Sequence, residues 1–169
     1  MLNNLYFEST SKLVSYDLSS VLLTKFPKSI PIIICLGCNN VLSDMVGVFV
    51  GDFLRAKHLP IVIFGGSKHN VDKNTAKMLY NKIDKNRLLF IDSGLISQKN
   101  SIMFSNQTIL NDGTKLDSPS ICSSTVQMEN GKINLAKVSY KKVLEYANIV
   151  ANSICDYYSY LSLLKNISQ

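Results

Sequence analysis

A three-layer α/β/α sandwich around a mostly parallel sheet is the fold class this sequence predicts, on three observations. First, three short apolar runs, Ile32–Leu36, Ile61–Phe64 and Leu88–Ile91, contain no polar position. Strands buried on both faces of a parallel sheet read this way, whereas a strand with one wet face alternates. Second, segments with helical spacing separate the runs, which is the βαβ pattern with right-handed crossovers. Third, 169 residues that are 46% apolar suffice for a sizeable core, so residues 1–169 read as one α/β domain.

Taken in order, residues 1–10 are polar with two aromatics and read as an irregular arm. Ser11 to Lys25 carries Leu13, Val14, Leu18, Val21 and Leu22 at amphipathic spacing, a helix that can cover one sheet face. Pro27 and Pro31 bracket the approach to the first strand, Ile32–Leu36. That strand halts at Gly37, passes through Cys38, Asn39 and Asn40, and leads into a helix from about Ser43. There Val46, Phe49, Val50, Phe53 and Leu54 recur helically, Ser43 is the expected N-cap and Asp44 falls in the first turn. Leu59-Pro60 introduces the second strand, Ile61–Phe64, closed by Gly65-Gly66 and a polar loop. Asp72 is placed to cap a helix from Lys73 to Asp84, buried through Ala76, Leu79, Tyr80 and Ile83. The third strand, Leu88–Ile91, ends on Asp92-Ser93-Gly94. Ser101–Leu110 and Ser118–Met128 read as later strands around a turn at Asn111-Asp112-Gly113, and Glu129-Asn130-Gly131-Lys132 is a further turn. A long helix over residues 140–164 shows a stripe of Val143, Tyr146, Ala147, Val150, Ile154, Tyr157 and Leu161, the pattern of core packing.

Composition narrows the function classes. The net charge of +6 comes from scattered lysines, with no arginine-rich arm or aromatic RNA-binding signature, so nucleic acid is not the expected partner. No apolar run approaches the roughly 18 residues of a membrane span. Residues 1–10 carry Glu8 and lack a basic segment, so an intracellular, cytoplasmic location is expected. Cys35, Cys38, Cys122 and Cys155 have no paired metal spacing and read as thiols in a reducing compartment.

Chemistry in an open α/β sheet gathers at the carboxyl ends of the strands. Asp44 and Asp92 both fall there, and they converge on one crevice if the first and third strands are neighbours. Two close carboxylates raise one another's pKa, share a proton and activate water. They equally suit a divalent metal by oxygen ligands. His69, in the loop after the second strand, is a candidate third ligand or proton carrier, with a plain loop histidine as the alternative reading. From spacing alone, a capping role for each aspartate stays open. His58, at a helix-to-strand connection, reads as solvent-facing. Gly37-Cys38-Asn39 lacks the glycines of a dinucleotide loop and any Gly-Lys-Ser/Thr. Gly47 and Gly51, four apart, read as close-packing positions.

The segment Leu36 to Gly47 (Leu-Gly-Cys-Asn-Asn-Val-Leu-Ser-Asp-Met-Val-Gly) resembles the glycine loop and aspartate of the sporulation-protein family called YyaC, and the matching segment of the spore germination protease. Val62-Ile63-Phe64-Gly65 and Phe90-Ile91-Asp92-Ser93 fall in the order of that family's second and third strand ends. The resemblance covers about residues 30–100. It implies the α/β/α fold of the hydrogenase maturation peptidases, with Asp44 and Asp92 as the acidic pair of a peptidase-type site. Gly37, Cys38, Asn39 and Ser93, which flank the pair, are the candidate substrate-binding positions. The expected activity is hydrolysis of a protein or peptide, small acid-soluble spore proteins among the candidates, in the cytoplasm or forespore of an endospore former. No cofactor is expected; a metal-assisted variant would use Asp44, Asp92 and His69. Ser43 and Val48 stand where the family carries glycine and proline, and Asp72 where it carries histidine. These departures keep a second expectation, an inactive peptide-binding or regulatory protein on the same fold.

Overall fold

The computed structural model describes residues 4–125, 127–129, 132–134 and 138–167. Leu5–Glu8 is an edge strand, β1, so the expected irregular arm is corrected over those residues. Leu5, Tyr6 and Glu8 are exposed and Phe7 is half-buried, which leaves no hydrophobic alternation in the sequence to betray the strand. Helix α1, Val14–Lys25, buries Val14, Leu18 and Leu22. Strand β2, Ile32–Cys35, stops one residue short of the expected run. Leu36 then makes an isolated parallel bridge to Val71.

The helix expected from Ser43 starts later. Leu42–Asp44 forms a single 3-10 turn, and α2 runs Val46–Ala56 with Met45 at the N-cap position and no side-chain cap. Ser43 is buried, and its carbonyl accepts a 2.6 Å hydrogen bond from the Thr125 hydroxyl. The turn is thereby held by a residue just beyond the strand Ser120–Ser124 rather than by a local cap. Strand β3 shrinks to Ile63–Phe64, and α3, Lys73–Lys82, carries the anticipated cap: Asp72 Oδ1 accepts from Thr75 N–H at 2.8 Å.

Strand β4 spans Leu88–Gly94, so Asp92 lies inside the strand rather than after it. Strands β5, Ser101–Ser105, β6, Thr108–Ile109, β7, Lys115–Leu116, and β8, Ser120–Ser124, follow. The two long strands expected here are thus broken, with the β6–β7 hairpin set between β5 and β8. Its turn is where the sequence places it, with Gly113 at φ +81° and Leu110 N–H donating to the Thr114 carbonyl at 2.9 Å. Strands β9, Gln127–Glu129, and β10, Lys132–Asn134, pair antiparallel. Asn130 and Gly131 of the expected turn lie outside the described residues. Helix α4, Tyr140–Ile167, buries every member of the anticipated stripe.

The central sheet has six strands in the order β1-β5-β8-β4-β2-β3. Strands β8, β4, β2 and β3 are mutually parallel, and β5 runs antiparallel to both β8 and β1. Helices α1, α2 and α4 cover one face, packing Leu18, Val50, Tyr146 and Ile154 over Ile33, Leu89, Ile91 and Ile121. On the other face α3 and the hairpin pack Ala76, Leu79, Leu110 and Leu116 over Ile34, Leu88 and Phe90. Each of the Leu, Ile, Val and Phe side chains among them, fully buried, contributes about 1.5–3 kcal/mol. The architecture is the expected three-layer α/β/α sandwich. Among the described residues the second face carries a single helix, so the sheet over β4, β8 and β5 stays partly uncovered, and that gap is the cleft described next.

Candidate active site

Strands β2 and β4 are neighbours in parallel register, Cys35 opposite Ile91, which brings their carboxyl ends together. Gly47 seats the start of α2 on both ends: a Cβ there would overlap the Leu36 carbonyl oxygen and crowd that of Ile91. Asp44, on the 3-10 turn, and Asp92, on β4, consequently line one cleft of about 1010 Å³. Its floor is the uncovered sheet, where Asp92, Cys122 and Met103 stand side by side across β4, β8 and β5. Its far wall is the hairpin, with Ile109 and Leu110, and its apolar rim includes exposed Val41, Leu95 and Ile109.

The two carboxyls are electrostatically unlike. Burial pushes Asp92 up to about 7, the negative charge of Asp44 adds to the rise, and the Ser93 N–H, donating to Oδ1 at 2.8 Å, opposes it. Asp44 is half-buried, and burial raises it too; hydrogen bonding from the Cys38 thiol and backbone N–H pulls the other way. Asp92 is therefore the carboxyl that holds a proton near neutral pH. Burial, and next the charge of Asp92, lifts the Cys122 thiol well above its ordinary range, so it is no nucleophile at neutral pH.

Gly37, Cys38 and Ser93 line the cleft with the two aspartates. Asn39 does not: it is exposed, and its side-chain amide donates to the Ser67 carbonyl at 2.9 Å. His69 is exposed in the loop after β3 and is absent from the cleft lining. Among the described residues, no three His, Cys, Asp or Glu side chains gather as a metal-binding group. His58 is exposed as expected, with φ +53°. All four cysteines are free; Cys35 faces the core behind the sheet, where burial drives its thiol to about 12, and Cys38 faces the cleft, so the C-x-x-C spacing joins two separate environments.

Cys122, Met103 and the hairpin wall escape a reading of the sequence. The signal is polarity out of place: Ser120, Cys122 and Ser124 share the face opposite buried Ile121. Among the described residues, no helix is long and apolar enough to cross a membrane. No curated protein matches the chain. The family model described as "Protein of unknown function (DUF1256)" matches residues 6–153, nearly the whole α/β domain, cleft included, and the chain belongs to that family.

Proposed function

We propose that this protein is a peptidase of the YyaC type, hydrolysing a protein substrate of the spore with Asp44 and Asp92 as an unlike acid pair. The observation that carries the reading is the convergence of the two carboxyls on one cleft, with Asp92 raised to about 7. In this reading Asp44, ionised, takes a proton from the attacking water, and Asp92, protonated, delivers one to the leaving amide nitrogen. Backbone N–H groups of the loop after Gly37 orient the scissile carbonyl. The apolar rim suits a peptide laid across the sheet face, and no metal is needed for these steps.

A second reading, a peptide-binding regulator on the same fold, is favoured by one feature: Asp92 Oδ1 is already engaged by its own neighbour's N–H. Incubation with small acid-soluble spore proteins separates the two. The peptidase reading expects cleavage by the wild type and none by Asp44→Asn/Asp92→Asn. Tight binding without cleavage by the wild type would establish the regulator instead. Loss of cleavage with a chelator, restored by a divalent ion, would move the chemistry to a metal.

A further inference from the structure

Helix α4 continues through residues 162–167, past Leu161, the last buried residue of its core stripe. Tyr160, Leu163 and Ile167 share one face of this segment at i, i+3 and i+7, while Ser159, Ser162 and Asn166 share another. An extension with no core beneath it gains nothing from an apolar face unless something covers that face. Tyr160 meets Tyr16 of α1 edge to face, with ring centroids 6.4 Å apart at 87°. Leu13 stands three residues before Tyr16 at the start of α1. The five side chains thus join into one apolar patch across the two helices. Leu13 is 62% exposed, Tyr16 56%, Tyr160 37%, Leu163 58% and Ile167 81%. At roughly 200 Å² for each residue fully exposed, the patch leaves on the order of 600 Å² in water. That is the top of the range for the largest patch on a monomer, about 300–600 Å².

We propose that this patch is the interface of a homodimer, covered by a second copy of the chain about a two-fold axis near Tyr160. A two-fold sets the same patch on both partners. With the two α4 segments antiparallel, the Leu163 and Ile167 end of each copy covers the Leu13 and Tyr16 end of the other. Asp156, one turn before Tyr160, then comes opposite the partner's Lys165, which makes the rim complementary in charge. The two patches together bury about 1,200 Å² of apolar surface, the lower end of a standard specific interface before any polar rim is counted. Helices α1 and α4 cover the face of the sheet opposite the cleft floor, so pairing there leaves both clefts open. The dimer is thus independent of the peptidase reading.

The test is sedimentation of the full chain at a series of concentrations, with a reductant present so that the free cysteines do not link copies. The wild type is expected at twice the chain mass of 18.8 kDa at tens of micromolar protein. Leu163→Glu and Ile167→Glu each place a charge in the patch while keeping a good helix former. Each is expected to raise the dimer Kd at least about 100-fold, which leaves single chains. Met78→Glu, the same kind of change at an exposed position on α3, should keep the wild-type mass. Should either α4 variant lose its helical circular dichroism, Leu13→Glu, at a helix start that favours a carboxylate, takes its place. A wild type that sediments as single chains overturns the proposal; if it also floats with phosphatidylglycerol vesicles, the patch belongs to a lipid surface instead. A dimer that survives Leu163→Glu and Ile167→Glu together lies on another face and overturns the proposal equally.

Discussion

Replacing Asp92 with asparagine removes a half-buried carboxyl on the floor of the cleft. Burial first, and the Asp44 charge after it, raise this group from 3.8 to about 7. Below about pH 4 the group is protonated in both folded and unfolded chains and carries no penalty. Between about pH 4 and 7 the unfolded chain ionises freely while the folded protein holds its proton, so stability falls as pH rises and levels off above 7. About three pH units at roughly 1.4 kcal/mol each is a penalty on the order of 4 kcal/mol at pH 8. Asparagine escapes it and keeps an oxygen for the Ser93 N–H at 2.8 Å. Asp92→Asn is therefore expected to be the more stable protein at pH 8, by on the order of 10 °C in Tm for a chain of 169 residues. The advantage shrinks steadily toward pH 4. Thermal unfolding by circular dichroism at pH 4, 5, 6, 7 and 8, with a reductant present for the free thiols, reads the difference. A Tm gap that does not change with pH would refute the buried-acid argument.

Thr125→Val removes the 2.6 Å bond to the buried Ser43 carbonyl and is expected to cost about 1–3 kcal/mol in denaturant unfolding. It should also loosen Asp44 on its 3-10 turn, read as faster amide exchange over Leu42–Asp44. Gly47→Ala forces a methyl into the Leu36 carbonyl, and a loss of at least about 2 kcal/mol, with the α2 start displaced, is the expected result of the same measurement. Tyr157→Phe removes the single hydroxyl proton shared between the Phe26 and Ser29 carbonyls, at 2.8 and 3.0 Å, and should lower stability by about 1–2 kcal/mol without touching the cleft. His69→Ala, a change in an exposed loop outside the cleft lining, should leave substrate cleavage, with or without a chelator, as it is in the wild type.

The sequence made the sheet's centre legible because β2 and β4 are buried on both faces, and unbroken apolar runs have few other uses. The α4 stripe was legible for a similar reason: one face of a long helix carries it alone. Elements stabilised by distant partners were not. Strand β1 exists through its antiparallel pairing with β5 and buries little of its own. The late start of α2 follows from Thr125, 82 residues away from Ser43 in the chain, holding a carbonyl that a local reading assigns to a capped helix. Asp44 and Asp92 could be picked out because strand ends in this architecture collect chemistry. Cys122 and Met103 could not, since their place beside Asp92 depends on the register of β8 and β5. Asn39, chosen for its nearness to Gly37, proves to anchor the loop that presents Cys38.

The most direct test is the rate of substrate cleavage by the wild type, Asp44→Asn, Asp92→Asn and the double variant. Two carboxyls acting in one step are expected to lose cleavage almost completely when either is changed, and the double variant should be no worse than the singles. Cleavage by either single variant at the wild-type rate would contradict the shared site.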